Sequence, residues 1–180
     1  MVWKKFGEGF EEGVWVGSLS YGSFIIYYYT MPQSLSKVYV HTIFSTKGRL
    51  PLIDDRIKSD LWNYLWGICK HLECNPIQVW GHDDHIHILC TLSRKVPQMK
   101  LLEELKRSSS KWIKTQGDRY SDFYRQEGYG AFSVNPVEID KVITYIQMQE
   151  EHHKTKVFMD EYLAFLHKYN VEYDEKYIRD

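Results

Sequence analysis

Cysteine is scarce. Cys69, Cys74 and Cys90 are the three in 180 residues, an odd number with no C-x-x-C pair. A disulfide framework is therefore not expected, and thiols set within apolar runs fit burial in a reducing compartment, which points to the cytoplasm. The sequence also lacks H-E-x-x-H, H-x-E with P-C-x-x-C, a P-loop and G-x-G-x-x-G. These absences argue against zincins, zinc deaminases, Walker ATPases and Rossmann enzymes. Neither sign of charge dominates, since 23 basic side chains face 24 acidic ones. Bulk charge thus gives no pull towards nucleic acid or an anionic membrane, and any phosphate contact has to rest on local patches. The run Ile25-Ile26-Tyr27-Tyr28-Tyr29 is too short to span a bilayer and follows no basic n-region, so neither a signal peptide nor a membrane span is expected.

What is present is apolar bulk: 43% hydrophobic and 16% aromatic residues, enough for one sizeable core but short for two independent domains. Residues 1–30 stand apart. They hold five of the eleven glycines, show no clean helical or strand period, and are followed directly by Met31. We expect this segment to be an N-terminal extension, read through from upstream of a natural start, ahead of a single domain over 31–180.

Within 31–180, Lys37 to Phe44 is rich in β-branched and aromatic residues, apolar on both faces, and stops at Thr46-Lys47-Gly48-Arg49, as a central strand would. After Asp54-Asp55, a plausible helix start, Ile57, Leu61, Tyr64, Leu65, Ile68 and Leu72 recur at helical spacing up to Asn75-Pro76. Ile77–Trp80 and His85–Leu92 flank Gly81-His82-Asp83-Asp84, which suits an antiparallel hairpin. Pro97 opens a second helix with Leu101, Leu102, Leu105, Trp112 and Ile113 on one face. Ala131–Val134 reads as a strand, Asn135-Pro136 starts a third helix with Ile139, Val142, Ile143 and Ile146 inward, and Met159–Leu166 suggests a last one. Strand, helix, strand, strand, helix, strand predicts an α+β fold: a ferredoxin-like (RRM-like) antiparallel sheet with helices on one face, plus C-terminal helices.

Residues two apart in a strand share a face, so His85 and His87 present two imidazoles together while Ile86 points the other way. Such a pair can grip a divalent metal. With eight histidines, however, an H-x-H arises by chance roughly one time in three, and incidental surface or core histidines are the plainer explanation. The cluster of His82, His85 and His87 behind Asp83-Asp84, where a sheet edge would meet solvent, favours the metal. Two histidines leave open positions, so a catalytic metal needs a third ligand. Tyr145 and Gln149 are i and i+4, beside the apolar stripe of the third helix. From spacing alone, a tyrosine at the core edge with an exposed glutamine outweighs a functional pair.

Between Arg94 and Arg119, eight basic residues face three acidic ones. Lys106, Arg107 and Lys111 could follow a phosphate backbone, and a solvated helix face accounts for them equally well. Lys47 and Arg49 are a second candidate contact, with Tyr120, Phe123, Tyr124 and Tyr129 available to stack on unpaired bases.

His85-Ile86-His87 in a strand, Gly128-Tyr129-Gly130-Ala131-Phe132-Ser133-Val134, and Tyr145-Ile146-x-x-Gln149-x-x-His152-His153-Lys154 occur together in that order. The combination resembles the single-tyrosine HUH transposases of small bacterial insertion sequences and their REP-associated relatives, from about Met31 to the C-terminus. The resemblance implies metal ligation by His85, His87 and Gln149, with Mg²⁺ or Mn²⁺ as the ion, and Tyr145 as nucleophile. It implies cutting and rejoining of single-stranded DNA through a 5′-phosphotyrosine, on element ends that contain hairpins. It also implies a homodimer in which the tyrosine helix of one subunit completes the other's site; the sequence leaves open which subunit supplies Tyr145. Two rival expectations stand beside it: a domesticated hairpin-processing nuclease, and a non-catalytic RRM-like nucleic-acid binder in which the histidines are incidental.

Overall fold

A computed structural model describes residues 3–6, 12–18, 24–30, 35–153 and 157–178. The chain divides into two compact units, Met1–Ser36 and Lys37–Asp180. In the first, β1 (Trp3–Phe6), β2 (Glu12–Ser18) and β3 (Phe24–Thr30) form an antiparallel meander in that order. The sequence shows no clean strand period here. Segments such as Phe24-Ile25-Ile26-Tyr27-Tyr28-Tyr29-Thr30 carry β-branched and aromatic residues at consecutive positions, so strand propensity is high while the alternation that betrays a strand is missing.

The second unit holds β4 (Tyr39–Ser45), α1 (Lys58–His71), β5 (Pro76–Gly81), β6 (His85–Thr91), α2 (Gln98–Lys114), β7 (Gly130–Val134), α3 (Ile139–Gln147), α4 (Gln149–His152), α5 (Phe158–Lys168) and α6 (Glu175–Ile178). The sheet runs β5-β6-β4-β7, antiparallel throughout. This is the expected ferredoxin-like α+β order.

Val40, Phe44, Ile86, Ile88 and Cys90 pack against Leu61 and Leu65 of α1 and Leu101, Leu102 and Leu105 of α2. Each fully buried aliphatic side chain here contributes on the order of 1.5–3 kcal/mol. The opposite face is not open, as helices on one face alone would leave it. Ile43 and Phe132 pack with Phe158, Leu166 and Ile178, and Leu89 and Val134 pack with Ile146. A strand apolar on both faces needs cover on both, and the C-terminal helices supply the second layer.

Two helix starts differ from expectation. Asp54 lies in a turn before α1, its carbonyl accepting from the Ile57 and Lys58 amides and its carboxylate bonded to Arg56 and to the Tyr120 hydroxyl at 2.7 Å. After Asn135, whose Oδ1 accepts from the Val137 amide at 3.2 Å, the chain makes a 3₁₀ turn before α3. The third helix is also broken: Met148, at φ −89° and ψ 13°, separates α3 from α4. The three cysteines are free and buried. Among the described residues, no helix is long and apolar enough to cross a membrane.

Candidate active site

The period-two geometry of β6 puts His85, His87 and Leu89 on the face covered by the C-terminal helices. On β4, Ile43 pairs with His87 and Ser45 with His85, which makes His41 the diagonal neighbour of His87. Because β6 lies between β5 and β4, the histidines are not at a solvent-facing sheet edge as expected; both are 0% exposed. The hairpin that delivers them is tight. A Cβ on Gly81 would sit 2.2 Å from the His85 carbonyl oxygen, so only glycine allows the two strands this approach.

A polar cluster fills the space between β6 and the helices. His85 Nδ1 lies 2.6 Å from Asp84 Oδ1, the carboxylate that orients the ring, and His85 Nε2 lies 3.1 Å from Gln149 Oε1. Gln149 is buried, not exposed, and its Nε2 donates to Glu161 Oε1 at 2.9 Å. His153 Nε2 is 3.1 Å from both Gln149 Oε1 and Glu161 Oε2. His87 Nε2 is 3.6 Å from Glu161 Oε1, and its Nδ1 is 2.9 Å from His41 Nε2. Burial would raise the Asp84 carboxyl, but the His85 hydrogen bond and neighbouring imidazoles outweigh it and hold the group below its ordinary value. Burial, reinforced by Lys168, pushes His41 down to about 3. Glu161 is pushed up to about 7, by burial above all.

The arrangement is rich in lone pairs. With its Nδ1 turned to the Asp84 carboxylate, the other His85 nitrogen is turned to an amide oxygen, an orientation that presents both atoms to a shared cation. Imidazole nitrogens with an amide oxygen suit a divalent metal, and the Asp84–His85 pair is the usual outer support for such a ligand.

Tyr145 is half-buried beside this cluster. Its ring stands edge-on to His87 at 6.0 Å, to His41 at 6.5 Å and to Phe165 at 5.5 Å. It lines a cavity of about 520 Å³ together with His41, Lys141, Glu161, Phe165 and Lys168. The expected continuous i, i+4 relation to Gln149 gives way to the break at Met148. The two side chains come from consecutive helix segments and still meet the same cluster.

The basic candidates are dispersed. Lys47 is exposed, while Arg49 donates to the Ile178 carbonyl and Lys106 to the carbonyls of Glu127 and Gly128. Arg107 is paired with Glu104, and Lys111 is exposed. Of the four aromatics read as base-stacking surfaces, Tyr120 and Phe123 are core residues at 3% and 0% exposure, drawn inward by the α1–α2 layer. Tyr124 and Tyr129 are exposed, with Lys114 Nζ 3.7 Å above the Tyr124 ring and Lys106 Nζ 6.0 Å from that of Tyr129.

Sequence reasoning missed His41, His153 and Glu161 as members of the cluster. His41 had a usable signal, an imidazole in a largely apolar central strand at the same alternation as Ile43; Glu161 had none, because only the docking of α5 brings it in.

The sequence profile described as "Transposase IS200 like" matches residues 34–149. Among curated proteins, none matches the chain significantly. Solved structures that share the fold include the following two. A candidate transposase from Deinococcus radiodurans R1 superposes with TM-score 0.53 at 17% identity, covering 67% of this chain and 97% of its own. A REP-associated tyrosine transposase bound to a REP hairpin gives TM-score 0.52 at 11% identity, covering 69% of this chain and 74% of its own.

Proposed function

This chain belongs to the IS200-like transposase family, and on that premise we propose that it cuts and rejoins single-stranded DNA with Tyr145 as nucleophile and His85, His87 and Gln149 holding a divalent metal, Mg²⁺ or Mn²⁺. The observation that carries the reading is the Tyr145 ring 6.0 Å from that of His87, beside the converging His85 and Gln149 side chains. A phenol with a pKa of about 10 is a weak nucleophile at neutral pH. The bound cation would favour the phenolate and offset charge on the scissile phosphate. Attack of the Tyr145 oxygen on phosphorus breaks the bond to the 3′-oxygen, leaving a free 3′-hydroxyl and a 5′-phosphotyrosine. Attack by a second 3′-hydroxyl reverses the step and needs no ATP, because the phosphodiester energy stays in the covalent link.

His41 orients His87, Asp84 orients His85, and the half-buried setting of Tyr145 restricts water around the attacking oxygen. The REP hairpin held by the structural neighbour supports hairpin-bearing element ends as the substrate. Proximity of Tyr145 to His87 of the same chain supports cleavage by the tyrosine of the subunit that carries the histidines, within the proposed homodimer. A binding module of RRM type is less well supported, since it needs an open sheet face, and here α3–α5 cover the face opposite α1 and α2.

The test is a denaturing gel of the protein incubated with end-labelled single-stranded oligonucleotides from the flanks of its gene. A detergent-resistant adduct formed with Mn²⁺, absent with EDTA and absent in Tyr145→Phe, is expected. A full yield of adduct from Tyr145→Phe would remove Tyr145 from the mechanism.

A further inference from the structure

We propose that Glu161 of α5, together with His153, belongs to the metal-binding set, so that the ion is held by a carboxylate as well as by the His85, His87 and Gln149 side chains; the proposal rests on the metal reading above. Three observations carry it. The donor atoms of His85, His153 and Glu161 all lie within 4.8 Å of one another, close enough for one ion to reach them. The Glu161 carboxylate is the hub of the cluster, with Oε1 at 2.9 Å from Gln149 Nε2 and 3.6 Å from His87 Nε2, and Oε2 at 3.1 Å from His153 Nε2. It also lines the cavity that contains Tyr145, so an ion on this carboxylate would be placed towards the nucleophile and not behind the sheet.

The chemistry points the same way. Imidazoles and an amide are neutral ligands that favour later transition metals, whereas Mg²⁺ and Mn²⁺ favour anionic oxygen. A carboxylate only 9% exposed, amid imidazoles, supplies the negative charge that the other four donors lack. Glu161 is then more than a prop for Gln149: it sets the preference for a hard cation.

The experiment is titration of the full chain, stripped of metal, with Mn²⁺ and separately with Zn²⁺, followed by calorimetry and by the Mn²⁺ spin-resonance signal, with no DNA present. Glu161→Gln, nearly isosteric, is compared with His87→Ala, with Glu161→Asp and with Asp160→Asn, an exposed neighbour. Mn²⁺ binding at least tenfold weaker in Glu161→Gln, with Zn²⁺ weakened less and Asp160→Asn unchanged, is the expected result. If Glu161→Gln does not fold, Glu161→Asp decides: it keeps the charge on a shorter arm and is expected to favour Mn²⁺ over Zn²⁺ less than the wild type does. Wild-type Mn²⁺ and Zn²⁺ affinities in the glutamate variants, alongside a large loss in His87→Ala, would overturn the Glu161 assignment and leave the His85–His87 site standing. Wild-type affinity in His87→Ala would instead overturn the metal site itself.

Discussion

His41 is a histidine that the fold keeps uncharged. Its pKa falls from 6.5 to about 3, through burial first and Lys168 second. Above pH 6.5 the ring is neutral whether the chain is folded or not. Between 6.5 and 3 only the unfolded chain takes up the proton, so the associated stability is full above that window and lost as pH falls through it. Glu161 has the opposite sign in the metal-free protein. Raised from 4.5 to about 7, it contributes its stability below pH 4.5 and loses it as pH rises to 7. Urea midpoints measured in EDTA should therefore show His41→Phe flattening the acid-side loss. The same variant removes the 2.9 Å contact to His87 Nδ1, and for His87 as the proposed metal ligand the loss of that partner is expected to cost about 10–100-fold in metal affinity. Unchanged Mn²⁺ affinity in His41→Phe would mean that His87 holds its orientation without help. The H-x-H pair was legible in the sequence because a strand's period is local. The roles proposed for Tyr145 and Gln149 rest on resemblance, not on spacing, and the position of Glu161 was hidden because it depends on packing between elements distant in the chain.

Among the elements, the β5–β6 hairpin sets the site and α1 does not, and two glycines separate these statements. Gly81 has the His85 carbonyl 2.2 Å from where a Cβ would go; Gly67, exposed in α1, has nothing within 4 Å. Gly81→Ala is expected to push the strands apart, lower stability and weaken Mn²⁺ binding. Gly67→Ala should stabilise by about 0.5–1 kcal/mol through helix propensity and leave metal binding alone. Chemical denaturation and metal titration of both variants check this; equal behaviour would refute the role given to Gly81. Most elements were readable from period and punctuation, since Pro97, Asn135-Pro136 and Gly81–Asp84 mark their boundaries. The break at Met148 was not, because Gln147, Met148 and Gln149 carry no helix-breaking residue and the interruption serves the inward turn of Gln149.

For the molecule as a whole, the near-zero net charge means that the proposed attraction to DNA would rest on a few side chains. Lys111 and Lys47 are exposed, whereas Arg107 is engaged by Glu104 and Lys106 by backbone carbonyls. Lys111→Ala is expected to weaken single-stranded DNA binding uniformly across sequences and to lower the slope of log affinity against log salt by about 1. Arg107→Ala should change the slope less. Fluorescence anisotropy over a salt series measures both, and an unaltered slope in Lys111→Ala would take that residue out of the phosphate path.

The two layers flanking the sheet are glued unequally. One is a broad apolar interface through α1 and α2; the other joins small apolar clusters to a polar one beneath α3, α4 and α5. Local opening free energy follows apolar contact, so amide hydrogens of α3–α5 should exchange with deuterium well before those of α1 and α2 in the metal-free protein, and slow when Mn²⁺ is added. The layer that carries the proposed nucleophile would then act as a hinged door, with the proposed ion as its latch.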